Sequence, residues 1–414
     1  MSVLRLNPHI EFTPVEDGYW LVRGEGSRSY IRLNPLGYRF LQCFRDGKSL
    51  EEVAGELASD YGHPWKSADM FTIYRNLFQG KGLFIGDRPT TAVRPYPDYI
   101  WWGFTMIDQL WVEKIAARLT FLFHRKVLAV FGVLVLWELS FAVHHSWQDP
   151  RFSLYDLIIP GISVWFHELG HAAALILRGG RPGAIGGGMY LIFPVMFSDV
   201  TEAWKLDKSG RVMVNLAGIY FEAVFSCLLF SISYLAGYEM GMFGASIILL
   251  RSLWNLNPFI RSDGYWTLAD LTSQHDLRRQ AFKAVRMWWR GGGPGSSDTR
   301  VKWWMLIVYG LAFIAFHAAL FATILFTAGE AVFTFPWDTF DLLWGVIQGR
   351  GLPGDLDGQV WVLSAILWGY LIRTLAGTNV ICRFKRYLRT VLRSDKYRMK
   401  AILGKGDRRK SCKE

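Results

Sequence analysis

Val164-Trp165-Phe166-His167-Glu168-Leu169-Gly170-His171-Ala172-Ala173-Ala174-Leu175-Ile176-Leu177 is the stretch on which the rest of the sequence turns. It closes an apolar segment, residues 153–177, of the roughly 17–25 residues that a helical bilayer crossing needs. Its motif brings three ionisable side chains, His167, Glu168 and His171, and each is costly in lipid unless a partner compensates it. On a helix, positions i and i+4 share a face, so the imidazoles of His167 and His171 can reach one metal ion. Zinc is the natural guest of nitrogen ligands at about 2.0–2.1 Å. Glu168 lies beside that face and can take a proton from attacking water. The alternative is a His/Glu cluster that serves the fold only.

Five further segments share this character. Residues 127–143, 212–236, 243–257, 303–327 and 359–381 also read as spans, the fourth of the six being short. Lys and Arg number five in 178–211, seven in 271–302 and 13 in 383–414. The intervening loops 144–151, 237–242 and 328–358 hold only Arg151 and Arg350. The positive-inside rule then implies a multi-pass protein of a bacterial-type cytoplasmic membrane with both termini cytoplasmic. Composition agrees: of 414 residues, 51% are hydrophobic, 16% aromatic and 20% charged. That excludes a disordered chain and argues against an ordinary soluble globule. Cys43, Cys227, Cys382 and Cys412 are scattered without a CxxC, so neither a disulfide framework nor a cysteine zinc ribbon is indicated. The first 90 residues lack the pattern of a signal peptide, which fits a cytosolic N-terminus.

The formal charge of +11 is concentrated at one end. Residues 383–414 carry 13 basic against three acidic residues, a net of +10, directly after an apolar block. Such a tail suits anionic lipid headgroups, or is simply a solvated basic helix. No nucleic-acid motif accompanies it, so nucleic acid is not an expected partner.

A catalytic zinc needs a third protein ligand and an open position. The end of the fourth span reads Asn255-Leu256-Asn257-Pro258-Phe259-Ile260-Arg261-Ser262-Asp263-Gly264. Pro258 and Gly264 interrupt the helix, and non-helical backbone at membrane depth is tolerated only inside protein or beside water. Asp263 could return toward the histidine pair. The alternative, a cytoplasmic turn with Asp263-Gly264 as ordinary turn residues, is the better reading for the segment alone but not beside the histidine span.

These two motifs together resemble the site-2 protease family of intramembrane zinc metalloproteases. The resemblance covers about residues 150–270. It implies one Zn2+ per chain held by His167, His171 and Asp263, with Glu168 as general acid and base. Asn255 matches the family asparagine that steadies the tetrahedral intermediate, where it would donate to the oxyanion, and Asn257 competes for that role. Family members often carry Ala-Gly-Pro-x-x-Asn between the two motifs. Here Ala217-Gly218-Ile219-Tyr220-Phe221-Glu222 puts a glutamate at the asparagine's place. Glu222 would either bond a ligand histidine from behind or lie near a water-filled cavity without a role.

Residues 186–197 are too short to cross a membrane and could form a re-entrant hairpin whose edge pairs with an extended substrate. His144, His145 and His317 are read as non-ligands.

Residues 1–87 read as a small winged-helix α+β domain, with strands at Tyr19-Trp20-Leu21-Val22 and Ser29-Tyr30-Ile31-Arg32-Leu33. Asn34-Pro35 opens a helix to Phe44, Ser49-Leu50-Glu51-Glu52 is a capping box for a second, and Ser67 to Gln79 forms a third. Leu83-Phe84-Ile85 closes the domain. Tyr30-Ile31-Arg32-Leu33-Asn34, Arg45-Asp46-Gly47-Lys48-Ser49-Leu50-Glu51-Glu52-Val53 and Gly82-Leu83-Phe84 are similar to PqqD-type domains, which bind leaders of ribosomally made, modified peptides. The resemblance implies that a leader strand adds to the edge Ser29, Tyr30, Ile31, Arg32 and Leu33 and packs near Phe71, Tyr74, Arg75 and Phe78. The alternative is a winged helix for another partner. DNA is disfavoured, since only Lys66 and Arg75 lie near the would-be recognition helix.

The expected architecture is therefore a mostly α polytopic membrane protein of about six transmembrane helices. Residues 1–87 form the recognition domain, 88–125 a linker and interfacial helix bearing Trp101, Trp102 and Trp111, 126–382 the metalloprotease domain and 383–414 a basic tail. The expected activity is hydrolysis of a leader-bearing peptide precursor during maturation or export, with membrane lipid and a peptide exporter as further partners. Two alternatives remain: a regulatory protease of a transmembrane signalling protein, and a non-proteolytic, metal-bearing export or immunity scaffold.

Overall fold

The computed structural model describes residues 4–15, 18–24, 30–86, 100, 102–145, 154–190, 193–274, 276–294, 300–329, 331–348 and 368. Ser29, Trp101, most of the linker, the sixth expected span and the basic tail lie outside the described residues. The chain divides into two compact units, residues 1–307 and 308–414.

The first unit opens with three short antiparallel strands, β1 (Phe12–Val15), β2 (Tyr19–Val22) and β3 (Ile31–Leu33), in the order β1-β2-β3. Helices α1 (Pro35–Arg45), α2 (Leu50–Tyr61) and α3 (Ser67–Ile73) follow, the last continued by a π-helical turn over Tyr74–Phe78. Local chemistry starts each helix. The Asn34 side chain accepts from the Gly37 N–H, and Ser49 and Glu52 form a reciprocal capping box. Phe40, Phe44, Val53, Leu57, Met70, Phe78 and Leu83 build the core beneath them. The expected closing strand is reduced to one bridge, Leu6 to Phe84.

A second sheet follows, in the order β4-β5-β6. It pairs β4 (Trp102–Ile107) with β5 (Ile185–Tyr190), and β5 with β6 (Phe193–Ser198). This corrects the interfacial-helix reading: Trp102 lies on a strand, and only α4 (Gln109–Leu119), with Trp111, is helical. The strand went unread because its partner lies some 80 residues away, and no nearby turn announces the pairing.

The further helices are α5 (Arg125–His144), α6 (Leu154–Leu177), α7 (Lys208–Leu235), α8 (Glu239–Trp254), α9 (Asp263–Leu271) and α10 (Leu277–Trp289), of which α6 packs on β6. α11 (Arg300–Ala328) runs into the second unit, which also holds α12 (Ala331–Ile347). The chain is thus mostly helical. Among the described residues, Arg125–His144, Lys208–Leu235 and Lys302–Thr327 are long and apolar enough to cross a membrane. α8, at 16 residues, spans only about 24 Å. Residues 328–358 were expected to be a loop, yet α12 occupies much of them. Pro336, Asp338 and Asp341 interrupt its apolar run and hide it from a hydropathy reading.

Candidate metal centre

α6 presents His167 and His171 one turn apart on a buried face. The Nδ1 of His171 lies 2.7 Å from the Val214 carbonyl oxygen on α7. A carbonyl only accepts, so Nδ1 carries the proton and Nε2 turns a lone pair inward. The Nδ1 of His167 faces the Glu222 carboxylate at 3.3 Å, with the same consequence. The two Nε2 atoms then stand 3.1 Å apart.

Asp263 completes the group. Its oxygens lie 3.0 Å from His167 Nε2 and 3.7 Å from His171 Nε2. It reaches them because residues 255–262 form a closed return at the end of α8. The Gly264 N–H donates to the Asn255 carbonyl at 2.8 Å, and the Ser262 hydroxyl donates to the same oxygen at 3.0 Å. The chain passes so close to itself that a Cβ on Gly264 would lie 2.2 Å from the Leu256 carbonyl oxygen. Asp263 then starts α9 facing the histidines.

Two inward lone pairs and a carboxylate this close repel one another unless a cation lies among them. Two ligands of a tetrahedral zinc, each at 2.0–2.1 Å, sit about 3.3 Å apart; the two Nε2 atoms, at 3.1 Å, are close to that spacing, and one ligand atom from each of the three residues lies within 4.8 Å of the others. The space is kept clear as well: a Cβ on Gly218 of α7 would lie 2.5 Å from His171 Nε2 and 2.6 Å from His167 Nε2. The donor set and its cradle therefore fit a zinc ion.

Glu168 is buried beside the pair, on the helix against which β6 packs. β6 is an outer strand of its sheet and packs on α6. Asn255 is half-buried at the C-cap of α8, where its backbone N–H donates to the Arg251 and Ser252 carbonyls. The Asn257 side-chain oxygen is held by the Phe259 N–H at 2.9 Å. Sequence reasoning missed Gly218, whose clearance depends on which atoms of α6 it faces.

His144 contacts the Ser140 carbonyl, His145 contacts Glu239, and His317 contacts the Phe313 carbonyl. In the N-terminal domain β3, with Ile31, Arg32 and Leu33, is an outer strand of its sheet, and Tyr30 immediately precedes it. Phe71 and Arg75 are exposed on the third helix. Tyr74 and Phe78 are not. They are buried against Phe84 and Phe40, and so are core residues instead of groove residues. The expectation failed there because helical spacing does not say which side of a short helix faces in. A polar cleft of about 580 Å³, lined by Arg23, Thr105, Asp108, Arg181, Asp199 and Glu202 among others, lies at the end of the second sheet and includes none of the three metal-site residues.

No family model matches the chain, and no solved structure does. Among curated proteins, "Putative peptide zinc metalloprotease protein YydH" of Bacillus subtilis (strain 168) is 21% identical over 175 residues, which is 41% of this chain and 69% of that protein. The similarity and the His/His/Asp cluster together support a zinc metalloprotease.

Proposed function

We propose that this chain is a site-2 protease-like intramembrane zinc metallopeptidase that captures a leader-bearing, ribosomally made peptide precursor and cleaves it during maturation or export. The observation that carries the reading is the convergence of His167, His171 and Asp263, from α6 and α9, on one cleared space. These three residues would hold the zinc. When bound, zinc supplies Lewis acidity, polarising the scissile carbonyl and making water acidic enough to attack near neutral pH. Glu168 takes the proton of the attacking water and passes it to the leaving amine as the C–N bond breaks. Burial keeps bulk water from competing for that proton. The side-chain NH2 of Asn255, or that of Asn257, whose Oδ1 is held by the Phe259 N–H, would donate to the oxyanion.

The open edge of β6, next to Glu168, suits an extended peptide, whose backbone can pair with a strand as a helix cannot. The outer strand β3, with Tyr30 before it, is the corresponding place for the leader. Capture there raises the local peptide concentration at the metal centre. Lipid surrounds the apolar helices, both termini face the cytoplasm, and a peptide exporter would take the product.

The test uses the full chain in detergent. Bound zinc is measured, and wild type and Glu168→Gln are incubated with the peptide encoded beside the gene. One zinc per chain in both forms is expected, with cleavage by wild type alone. Equal cleavage by both forms, or a zinc-free wild type, would overturn the reading.

A further inference from the structure

Glu222 is 1% exposed within an apolar helix, where an isolated carboxylate is not tolerated. Its Oε2 faces His167 Nδ1. Its Oε1 accepts from Arg251 Nη2 of α8, and from the Ser163 hydroxyl of α6 at 3.3 Å. The same Nη2 donates to the Ser163 oxygen at 2.7 Å, and that hydroxyl lies 2.8 Å from the Pro160 carbonyl. One guanidinium thus ties three helices together at a point directly behind a metal-ligating imidazole.

We propose that Arg251 is a positioning residue for the metal centre, acting on His167 through Glu222 and Ser163. The inference rests on the zinc reading above. Glu222 accepts a hydrogen bond from the His167 Nδ1–H, fixing the tautomer and the ring plane that aim Nε2 at Asp263 and His171. Arg251 is the partner that holds the Glu222 carboxylate in that place, through its own contacts with Glu222 and Ser163. The two ligand histidines are held by different means. His171 is backed by a main-chain carbonyl, which no side-chain substitution removes, and His167 by an ion pair that substitution can remove. Charge balance agrees: with Glu168, Glu222 and Asp263 as carboxylates, a divalent ion and Arg251 together bring the cluster to neutrality. Without the guanidinium the buried group would keep a net negative charge. Lysine offers the charge, but as a compact ammonium lacking the planar fork that bridges Glu222 and Ser163. Arg251 also sits one turn before Asn255, so α8 both steadies His167 and launches the return that delivers Asp263.

The test measures zinc affinity by chelator competition, and the visible spectrum of the cobalt-loaded site, on the full chain in detergent. Arg251→Met and Glu222→Gln should each weaken zinc binding about 10- to 100-fold and shift the cobalt bands. The double variant should be no weaker than the worse single one, and Arg251→Lys should recover part of the loss. Ser252→Ala is the control. It removes the neighbouring α8-to-α7 hydrogen bond, Ser252 to the Ile219 carbonyl at 2.9 Å, without touching Glu222. It should lower thermal stability and leave zinc and the cobalt spectrum unchanged. If Arg251→Met fails to accumulate, Glu222→Gln and Arg251→Lys make the same comparison. Zinc affinity within twofold of wild type and an unaltered cobalt spectrum, in folded variants, would overturn the proposal while leaving the protease reading intact. A wild type that binds no zinc would overturn both.

Discussion

Gly218 occupies a position where any side chain would enter the space between the two Nε2 atoms. Gly218→Ala should therefore abolish zinc retention. Because alanine is the better helix former, α7 itself should tolerate the change. Metal analysis and circular dichroism on the same sample check this; an alanine variant that still holds one zinc would show that the ion does not lie in this cradle. Glu168→Gln should keep its zinc and lose about 10²- to 10⁴-fold in cleavage rate, the usual contribution of a positioned acid–base group. The HELGH motif made the two histidines and Glu168 readable from the sequence, because i and i+4 share a helix face whatever surrounds them. Gly218 was unreadable, since its importance lies in which atoms of another helix it faces.

Two elements depend on polar ties that can be probed separately. In the N-terminal domain Glu56 of α2 binds both Arg39 of α1 and Lys48. The hydrogen bond from Lys48, followed by the charge of Arg39, holds the Glu56 carboxyl below its ordinary range. Its stabilising effect is therefore complete above the unfolded value of about 4.3 and fades as pH falls toward the lower folded value. Glu56→Gln should speed amide exchange in α1 and α2 at pH 7. It should also flatten the loss of protection that wild type shows on acidification. Nearby Cys43 is buried and pushed up to about 11, so it should stay unmodified by thiol reagents in the folded protein. Among the apolar helices, the Ser226 hydroxyl of α7 lies 2.6 Å from both Glu138 of α5 and the Ala245 carbonyl of α8. Ser226→Ala should cost about 1 kcal/mol in an unfolding titration in detergent, typical of such interhelical bonds. Helix starts at Asn34 and Ser49 were legible because a cap is made by residues three apart. The β4–β5 pairing was not, because neither strand's sequence names its partner.

Over the whole molecule, the proposal joins a peptide-binding domain to a membrane-embedded hydrolase. Removing residues 1–87 should leave zinc content unchanged and lower kcat/KM for a leader-bearing peptide, with little effect on the same peptide stripped of its leader. Undiminished processing of the leader-bearing form would refute the capture role. The cleft lined by Arg23, Arg181 and Glu202 shows that this domain and the second sheet share a polar boundary within the first unit. That boundary involves residues far apart in the chain, and nothing in the local pattern around Arg23 foretells it.

From the order of residues alone came the apolar segments, the helix caps, the histidine pair with its glutamate, and Asp263 as a possible third ligand. All of these follow from interactions within a turn or two, or from the cost of placing charge in lipid. The meeting of Asp263 with the histidines, the clearance at Gly218, the Arg251–Glu222–His167 chain and the burial of Tyr74 and Phe78 required the folded molecule. Each depends on how separate helices cross and on a return loop closing upon itself, and packing sets those distances where sequence spacing does not.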